Sequence, residues 1–304
     1  MAMFLPTLKQ LRYLTALDEH KHFGRAAAAC FVSQSTLSAG LQELEGLLGA
    51  SLVERSNRSV VFTPLGREIA ARARIVLREA QELAELAAAA KEPLSAALRL
   101  GVIPTIGPFL LPRVLPKLRK TFPKLKLYLT EDQTQRLVED LHAGTLDCVL
   151  LALPVDVGEA EEMVLFDDPF ELVCRRDDPL AAKAKLTTAD MQQAPLLLLT
   201  DGHCLRDHAL DACHLGRRPA GTDVAATSLH TLVEMAANGL GVTLLPEMAL
   251  QAKLLKGSEL VARPFAGGKP GRRIDLIWRK TSAREKEFRM LGNAIKDAYL
   301  AAAK

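Results

Sequence analysis

Residues 23–38 read FGRAAAACFVSQSTLS, and the fold of the N-terminal part of the chain turns on this stretch. Ala26 to Cys30 are small enough for one short helix to pack closely on another. Phe31 and Val32 can anchor a turn, and Ser33 is a residue type whose hydroxyl caps a following helix. A short helix, a tight turn and a second helix with polar residues at its start are the parts of a helix-turn-helix. Gln34, Ser35, Thr36 and Ser38 occupy the start of that second helix, where side chains reach base edges and phosphates, and Arg25, Arg55 and Arg58 supply charge for a phosphate backbone. The plainer reading of the same residues is a capped helix with a solvated polar end.

Outward from this motif the helical pattern continues. Leu8, Leu11, Leu14 and Leu17 mark a preceding helix, and Leu37, Leu41, Leu44 and Leu48 line the helix that Ser33 caps. Leu52 to Arg55 and Ser59 to Phe62 are short extended stretches around Ser56, Asn57 and Arg58, which reads as a small basic hairpin. Thr63 followed by Pro64 then starts a long helix, because proline at the first position gives up only an N–H that would have been unpaired. Its apolar residues Leu65, Ile69, Ala73, Val76, Ala80, Leu83, Ala87 and Ala90 recur at steps of four and three up to Lys91. A stripe this long asks for a partner helix, so Leu65, Ile69, Val76 and Leu83 are read as a dimerisation seam.

From Leu98 onward short apolar strands alternate with amphipathic helices. The strands are Leu98–Ile103, Leu125–Leu129, Cys148–Leu153, Leu172–Arg175, Leu196–Leu199, Val242–Leu245 and Ile274–Trp278. This is an α/β pattern. Proline-containing charged segments near Asp167–Pro169 and Pro264–Arg273 suggest that the chain crosses twice between two subdomains.

With 304 residues, 49% of them hydrophobic, the chain has material for about two domains with cores of their own. The net charge of +3 is small, but residues 1–78 hold ten basic against six acidic side chains. Met1 to Thr7 lack the basic flank and apolar stretch of a signal peptide. The longest apolar run, Cys148 to Val155, is far short of the roughly 18 residues that span a membrane, so a cytoplasmic protein with no membrane partner is expected. Five cysteines without a CxxC pair argue against a structural disulfide framework.

The densest chemistry lies in Asp201 to His214, DGHCLRDHALDACH. On a helical wheel started at Cys204, the side chains of Leu205, Ala209, Leu210, Ala212 and Cys213 share one side, and Cys204, Asp207, His208 and Asp211 the other. Cys213 is then expected in the core and Cys204 on the polar side. Arg206 falls on the apolar side of the wheel, a misfit that suggests a local site. A thiolate is the nucleophile toward peroxide, and its pKa falls beside cations and at helix N-termini; His203 and Arg206 adjoin Cys204, while Asp207 opposes it. The same histidines and cysteines also suggest zinc, but the wheel separates the two cysteines, so neither metal nor other cofactor is expected. Cys30, Cys148 and Cys174 read as packed small residues.

Leu11-Arg12-Tyr13, Phe23 to Ala29, Val32-Ser33-Gln34, Leu37-Ser38, Leu44-Glu45 and Leu52 to Gly66 (LVERSNRSVVFTPLG) resemble the LysR-type regulator family in order and spacing. Two departures are Ser35, where many relatives have proline, and Gly40 inside the second helix, at about 1 kcal/mol of helix propensity. The run Asp201 to Cys213, with Gly101 to Gly107, Thr130 to Thr134, Ala226 to Leu232 and Gly241 to Pro246, is similar to the hydrogen-peroxide-sensing members of that family.

The resemblance implies a winged helix-turn-helix at 1–63, a linker helix at 64–92 and a regulatory domain at 93–304 like a type II periplasmic binding protein. Subdomain I would take about 93–167 and 273–304, and subdomain II about 168–272. It implies Cys204 as peroxidatic and Cys213 as resolving cysteine, with Thr105, Thr134, His203, Arg206, Asp207 and Arg273 around the peroxide. It also implies double-stranded operator DNA and RNA polymerase as partners, and a homodimer assembling to a homotetramer. The alternatives are a metabolite-responsive regulator with its effector in the cleft between subdomains, and a thiol peroxidase. A helix-turn-helix and a disulfide that must unfold a helix to form both argue against an enzyme.

Overall fold

The structure, a computed structural model, describes residues 5–55, 60–89, 92–192, 194–214, 226–266 and 268–302. The chain separates into two compact units, 1–90 and 91–304. Arg58, with residues 56, 57 and 59 of the expected hairpin, lies outside the described residues, as do Ala90 and Lys91, and only the backbone of Arg55 is described.

In the first unit, α1 (Leu8–His20) begins at a capping box in which the Thr7 hydroxyl accepts from the Gln10 amide and the Gln10 side chain accepts from the Thr7 amide. α2 (Phe23–Ala29) is capped by His22, whose Nδ1 accepts from the amides of Gly24 and Arg25. α3 (Gln34–Leu48) is capped by Ser33, which accepts from the Thr36 amide. Leu14, Leu17, Ala26, Leu37, Leu44 and Leu52 meet in a fully buried core. Gly40 lets α3 pack tightly on Tyr13 of α1: a Cβ there would lie 2.8 Å from the Tyr13 ring, so helix propensity is given up for packing. Phe31 does not anchor the turn as expected. Its backbone is left-handed, with φ 59°, and its ring is 88% exposed, while Val32 packs against the core.

Strands β1 (Val53–Arg55) and β2 (Val60–Phe62) pair antiparallel beside the core. Thr63 then caps α4 (Pro64–Ala89) by accepting from the Gly66 amide at 2.9 Å. Gly66 is obligatory there, because a Cβ would sit 2.0 Å from the Leu52 carbonyl oxygen. The apolar stripe of α4 divides. Ala70 and Ala73 are buried, Ile69 and Leu77 pack on the unit's own core, and Arg74 pairs with Asp18 of α1. Leu65, Val76 and Leu83 stay 45%, 46% and 71% exposed. The stripe therefore has a partner in its own unit along part of its length, and Ile69, read as part of the seam, belongs to that part.

The second unit is built on mixed sheet. β3 (Ala97–Val102) runs parallel to β4 (Lys126–Glu131) and to β5 (Cys148–Leu153). All six residues of β5 are buried, the continuous apolar run expected of a central strand covered on both faces. β6 (Ala160–Arg175) and β10 (Gly271–Arg279) are the connecting strands. β10 pairs antiparallel with β5 and with the first part of β6, and from Phe170 onward β6 pairs instead with β8 (Val242–Pro246) and β9 (Leu260–Arg263). β7 (Leu196–Leu197) lies parallel to β8 at the far edge. Pro169 occupies the handover, where no ladder amide is needed. Gly271 stands opposite it, where a Cβ would come within 2.6 Å of the Pro169 Cα.

Helices α5 (Gly107–Thr121), α6 (Thr134–Ala143), α7 (Cys204–Ala212), α8 (Leu229–Ala237), α9 (Glu247–Gln251) and α10 (Glu285–Ala302) accompany these strands. No helix among the described residues is long and apolar enough to cross a membrane.

Candidate functional site

At the start of α7, Gly202 adopts φ +92°, and His203 is the N-cap in extended conformation, so that Cys204 becomes the first helical residue. A Cβ at Gly202 would lie 2.8 Å from the Gln133 side-chain oxygen, and Gln133 is the N-cap of α6. Two helix N-termini thus adjoin, bringing Thr134 beside Cys204. The Thr134 hydroxyl is buried and has no partner in hydrogen-bond geometry, yet it lies close enough to favour the Cys204 thiolate.

Cys204 is only 9% exposed, not on a polar surface. The wheel placed Asp207 and Asp211 correctly in solvent, but Cys204 and His208 are covered. A wheel knows only its own helix, and the N-terminal end of α7 is overlaid by other elements of the unit. Burial pushes the Cys204 thiol up, Thr134 and Arg272 pull it down, and Asp207 pushes it up again. The resting thiol is therefore above its ordinary range, the opposite of the sequence expectation. Desolvation outweighs the favourable neighbours.

The cation at the site is Arg272. Adjacent residues on a strand point to opposite faces, and the pleat of β10 sends Arg272 inward and Arg273 outward. Arg272 is buried. Its Nη1 donates to the Thr105 hydroxyl at 2.7 Å and its Nη2 to the Thr105 carbonyl at 2.9 Å. Its Nε donates to Asp168 at 3.0 Å, and Asp168 also accepts from the Met248 amide at 2.9 Å. One guanidinium therefore joins the loop after β3 to both connecting strands. Arg273, expected in the pocket, is 41% exposed at its side chain and pairs with Asp275 and Glu162. Arg206 pairs with Asp201 at 3.3 Å and lies 3.4 Å from the Leu199 carbonyl, which accounts for its misfit on the wheel.

His203 is buried and desolvation lowers its pKa, so it is a neutral ring rather than a cation. His208, absent from the expected pocket, is 4% exposed, with Nε2 2.8 Å from the Pro154 carbonyl and Nδ1 buried without a partner. Cys213 caps the other end of α7, buried, its thiol pushed up to about 11 by desolvation. All five cysteines are free. Among the described residues no three His, Cys, Asp or Glu side chains gather as a metal site.

On the first unit, Ser33, Gln34, Ser35 and Thr36 are exposed at the start of α3 and Ser38 is half-buried. Ser33 sits 2.8 Å from both the Ser35 and Thr36 hydroxyls. Arg25 is exposed and donates to the His20 carbonyl at 2.8 Å.

The model described as "Bacterial regulatory helix-turn-helix protein, lysR family" matches residues 8–67, and "LysR substrate binding domain" matches residues 91–299. The chain belongs to the LysR family of transcriptional regulators. This LysR-family chain is 44% identical over 292 residues to the HTH-type transcriptional regulator EstR of Acinetobacter baylyi, covering 96% of this chain and 97% of the other. It is 43% identical over 289 residues to the hydrogen peroxide-inducible genes activator of Escherichia coli O6:H1, covering 95% and 94%. Among solved structures it is similar to a full-length OxyR from Pseudomonas aeruginosa that carries one cysteine-to-aspartate substitution, at 39% identity and TM-score 0.80, covering 96% of this chain and 95% of that one.

Proposed function

We propose that this LysR-family regulator is switched by hydrogen peroxide through Cys204 and Cys213, and that it controls an oxidative-stress response. The observation that carries the reading is the placement of two free, buried cysteines at opposite ends of one nine-residue helix, the first of them beside Thr134 and within reach of the Arg272 charge. Peroxide entering beside Cys204 meets a thiol whose anion these two side chains favour. The sulfur attacks one peroxide oxygen, the S–O bond forms as the O–O bond breaks, sulfur is oxidised to sulfenic acid, and the other oxygen leaves as water. The Cys213 sulfur then displaces that hydroxyl as a second water and forms the disulfide.

Nine residues of helix separate the two cysteines by about 13 Å along the axis, against a Cα limit of about 7 Å for a disulfide. Helix α7 must therefore open, and oxidation and refolding become one event. In this reading the N-terminal unit binds operator DNA, α4 pairs two chains, dimers join into a tetramer, and the altered regulatory unit changes the contact with RNA polymerase in the cytoplasm.

EstR, whose name mentions no peroxide, favours a second reading: an effector in a cleft of about 590 Å³ lined by Asp167, Glu247, Lys269 and Arg272. Intact mass after one equivalent of peroxide, followed by peptide mapping, separates the two. A loss of two mass units assigned to the Cys204–Cys213 pair supports the redox switch. An unmodified protein, or a main disulfide on another pair, overturns it.

A further inference from the structure

Helix α2 ends in a Schellman turn, in which the Phe31 amide donates to the Ala28 carbonyl and the Val32 amide to the Ala27 carbonyl, both at 3.0 Å. The left-handed position of such a turn usually holds glycine, because a Cβ is unfavourable there. Here it holds Phe31, with φ 59°. The side chain that ties the turn to its own unit is Val32, which packs against the core, while the Phe31 ring is 88% exposed. Phe31 thus combines a strained backbone with an unburied ring, and its own fold gains from neither. An outlier of this kind points to a role outside the fold.

The position of the ring says which partner it meets. Exposed side chains run from Phe31 through Ser33, Gln34, Ser35 and Thr36, interrupted by Val32 alone. In a helix-turn-helix the start of the second helix meets base edges in the major groove while the first helix crosses the backbone, so the turn between them stands at the rim of the groove. We propose that Phe31 is a specificity residue that packs on a thymine methyl at that rim. The methyl makes no hydrogen bond and is read by apolar contact, a task to which phenylalanine is suited. The hydroxyls of Ser33 and Ser35 and the amide of Gln34 serve the hydrogen-bonding edges of neighbouring bases, and Phe31 brings the large apolar surface. Its backbone is held by the two amide bonds of the turn, so the ring is placed before DNA arrives. This rests on the reading that the first unit binds operator DNA, and it is independent of the redox switch.

The test takes the full-length reduced protein and an operator selected with it from random duplex DNA. Fluorescence anisotropy is read on copies in which each thymine in turn is replaced by deoxyuridine, which lacks only the methyl. One position is expected to weaken parent binding about 4-fold, the worth of one apolar carbon taken from water. Phe31→Gly, which fits the left-handed backbone, should melt with the parent, bind the thymine duplex more weakly by about 4-fold or more, and show no uridine effect at that position. Phe31→Leu should keep part of the effect. If Phe31→Gly does not fold, Phe31→Asn, also at ease in that conformation, takes its place. A parent indifferent to uridine at every thymine, or a ringless variant that keeps every uridine effect of the parent, overturns the methyl contact. So does a variant that binds DNA like the parent yet no longer activates transcription by purified RNA polymerase, or that loses self-association instead, since either assigns the ring to a protein surface. A parent that selects no duplex at all overturns the DNA-binding reading beneath it.

Discussion

Arg272 and Thr105, separated by 167 residues in sequence, are joined by two hydrogen bonds, one to the hydroxyl and one to the carbonyl of the threonine. The guanidinium that makes them is fully buried with Asp168. Removing one member of a buried pair leaves an uncompensated charge, at about 3–5 kcal/mol. Arg272→Ala is expected to lose stability on that scale in urea melts, while Glu162→Ala, which removes only the half-exposed partner of Arg273, changes it by under about 1 kcal/mol. Equal losses in the two variants would contradict the assignment of the inward face.

Cys213 is buried with its thiol raised to about 11, so in the reduced protein it is a thiol at neutral pH and resists alkylation. Iodoacetamide labelling of Cys213 is expected to be slow in the native reduced protein and to accelerate with sub-denaturing urea, as α7 opens. Cys204→Ser should be blind to peroxide in both mass and operator footprint. Cys213→Ser should yield a trappable sulfenic acid without holding the oxidised form. A Cys204→Ser protein that still switches its footprint would end the redox account.

Burial lowers the pKa of both His203 and His208 from 6.5. The unfolded chain binds these protons first, so the stability gained from neutral rings is present above pH 6.5 and is lost as pH falls through the lowered values. The thermal midpoint of the reduced protein is expected to drop from pH 7 to pH 5.5. His203→Asn and His208→Gln should each flatten that slope. A midpoint independent of pH over this window would show that neither ring stays neutral in the fold.

DNA affinity should depend on the polar start of α3 and on the arginines around it. Removing residues 1–92 is expected to abolish binding, and Arg55→Ala or Arg58→Ala to lower the salt slope by about one phosphate contact each. Fluorescence anisotropy across a salt series checks this. Unchanged slopes in both variants would remove the hairpin from the interface.

Leu65, Val76 and Leu83 are separated by eleven and seven residues, which places them within about 20° of one another on α4. Val76→Asp or Leu83→Asp is expected to weaken self-association and binding to a two-half-site operator, because a charge would enter the seam. Sedimentation at low micromolar concentration reads the outcome. Ile69 packs partly on its own unit, so Ile69→Asp should destabilise that unit as well. A wild-type mass for both seam variants would assign the exposed stripe to another role.

Local chemistry was legible in the sequence. The Ser33 cap, Pro64 opening α4, the unbroken apolar run of β5 and the helix starting at Cys204 depend on neighbours a few residues away, and each predicted its element. Strand β9 and the first half of β6 were not legible. The Ala160–Asp168 stretch is acidic and interrupted, and it becomes a strand only because β10 lies alongside it. The site depended still more on the tertiary structure. Arg272 and Arg273 are the same residue type in adjacent places, and only the pairing of β10 between β5 and β6 decides which of them points inward. A helical wheel placed Cys204 and His208 among polar residues, but α7 is covered at its N-terminal end by chain far away in sequence, and desolvation there governs both groups. Sequence determines which side chains are available at which periodicity. Burial and charge come from the sum of distant neighbours, and those are set only when the strands pair.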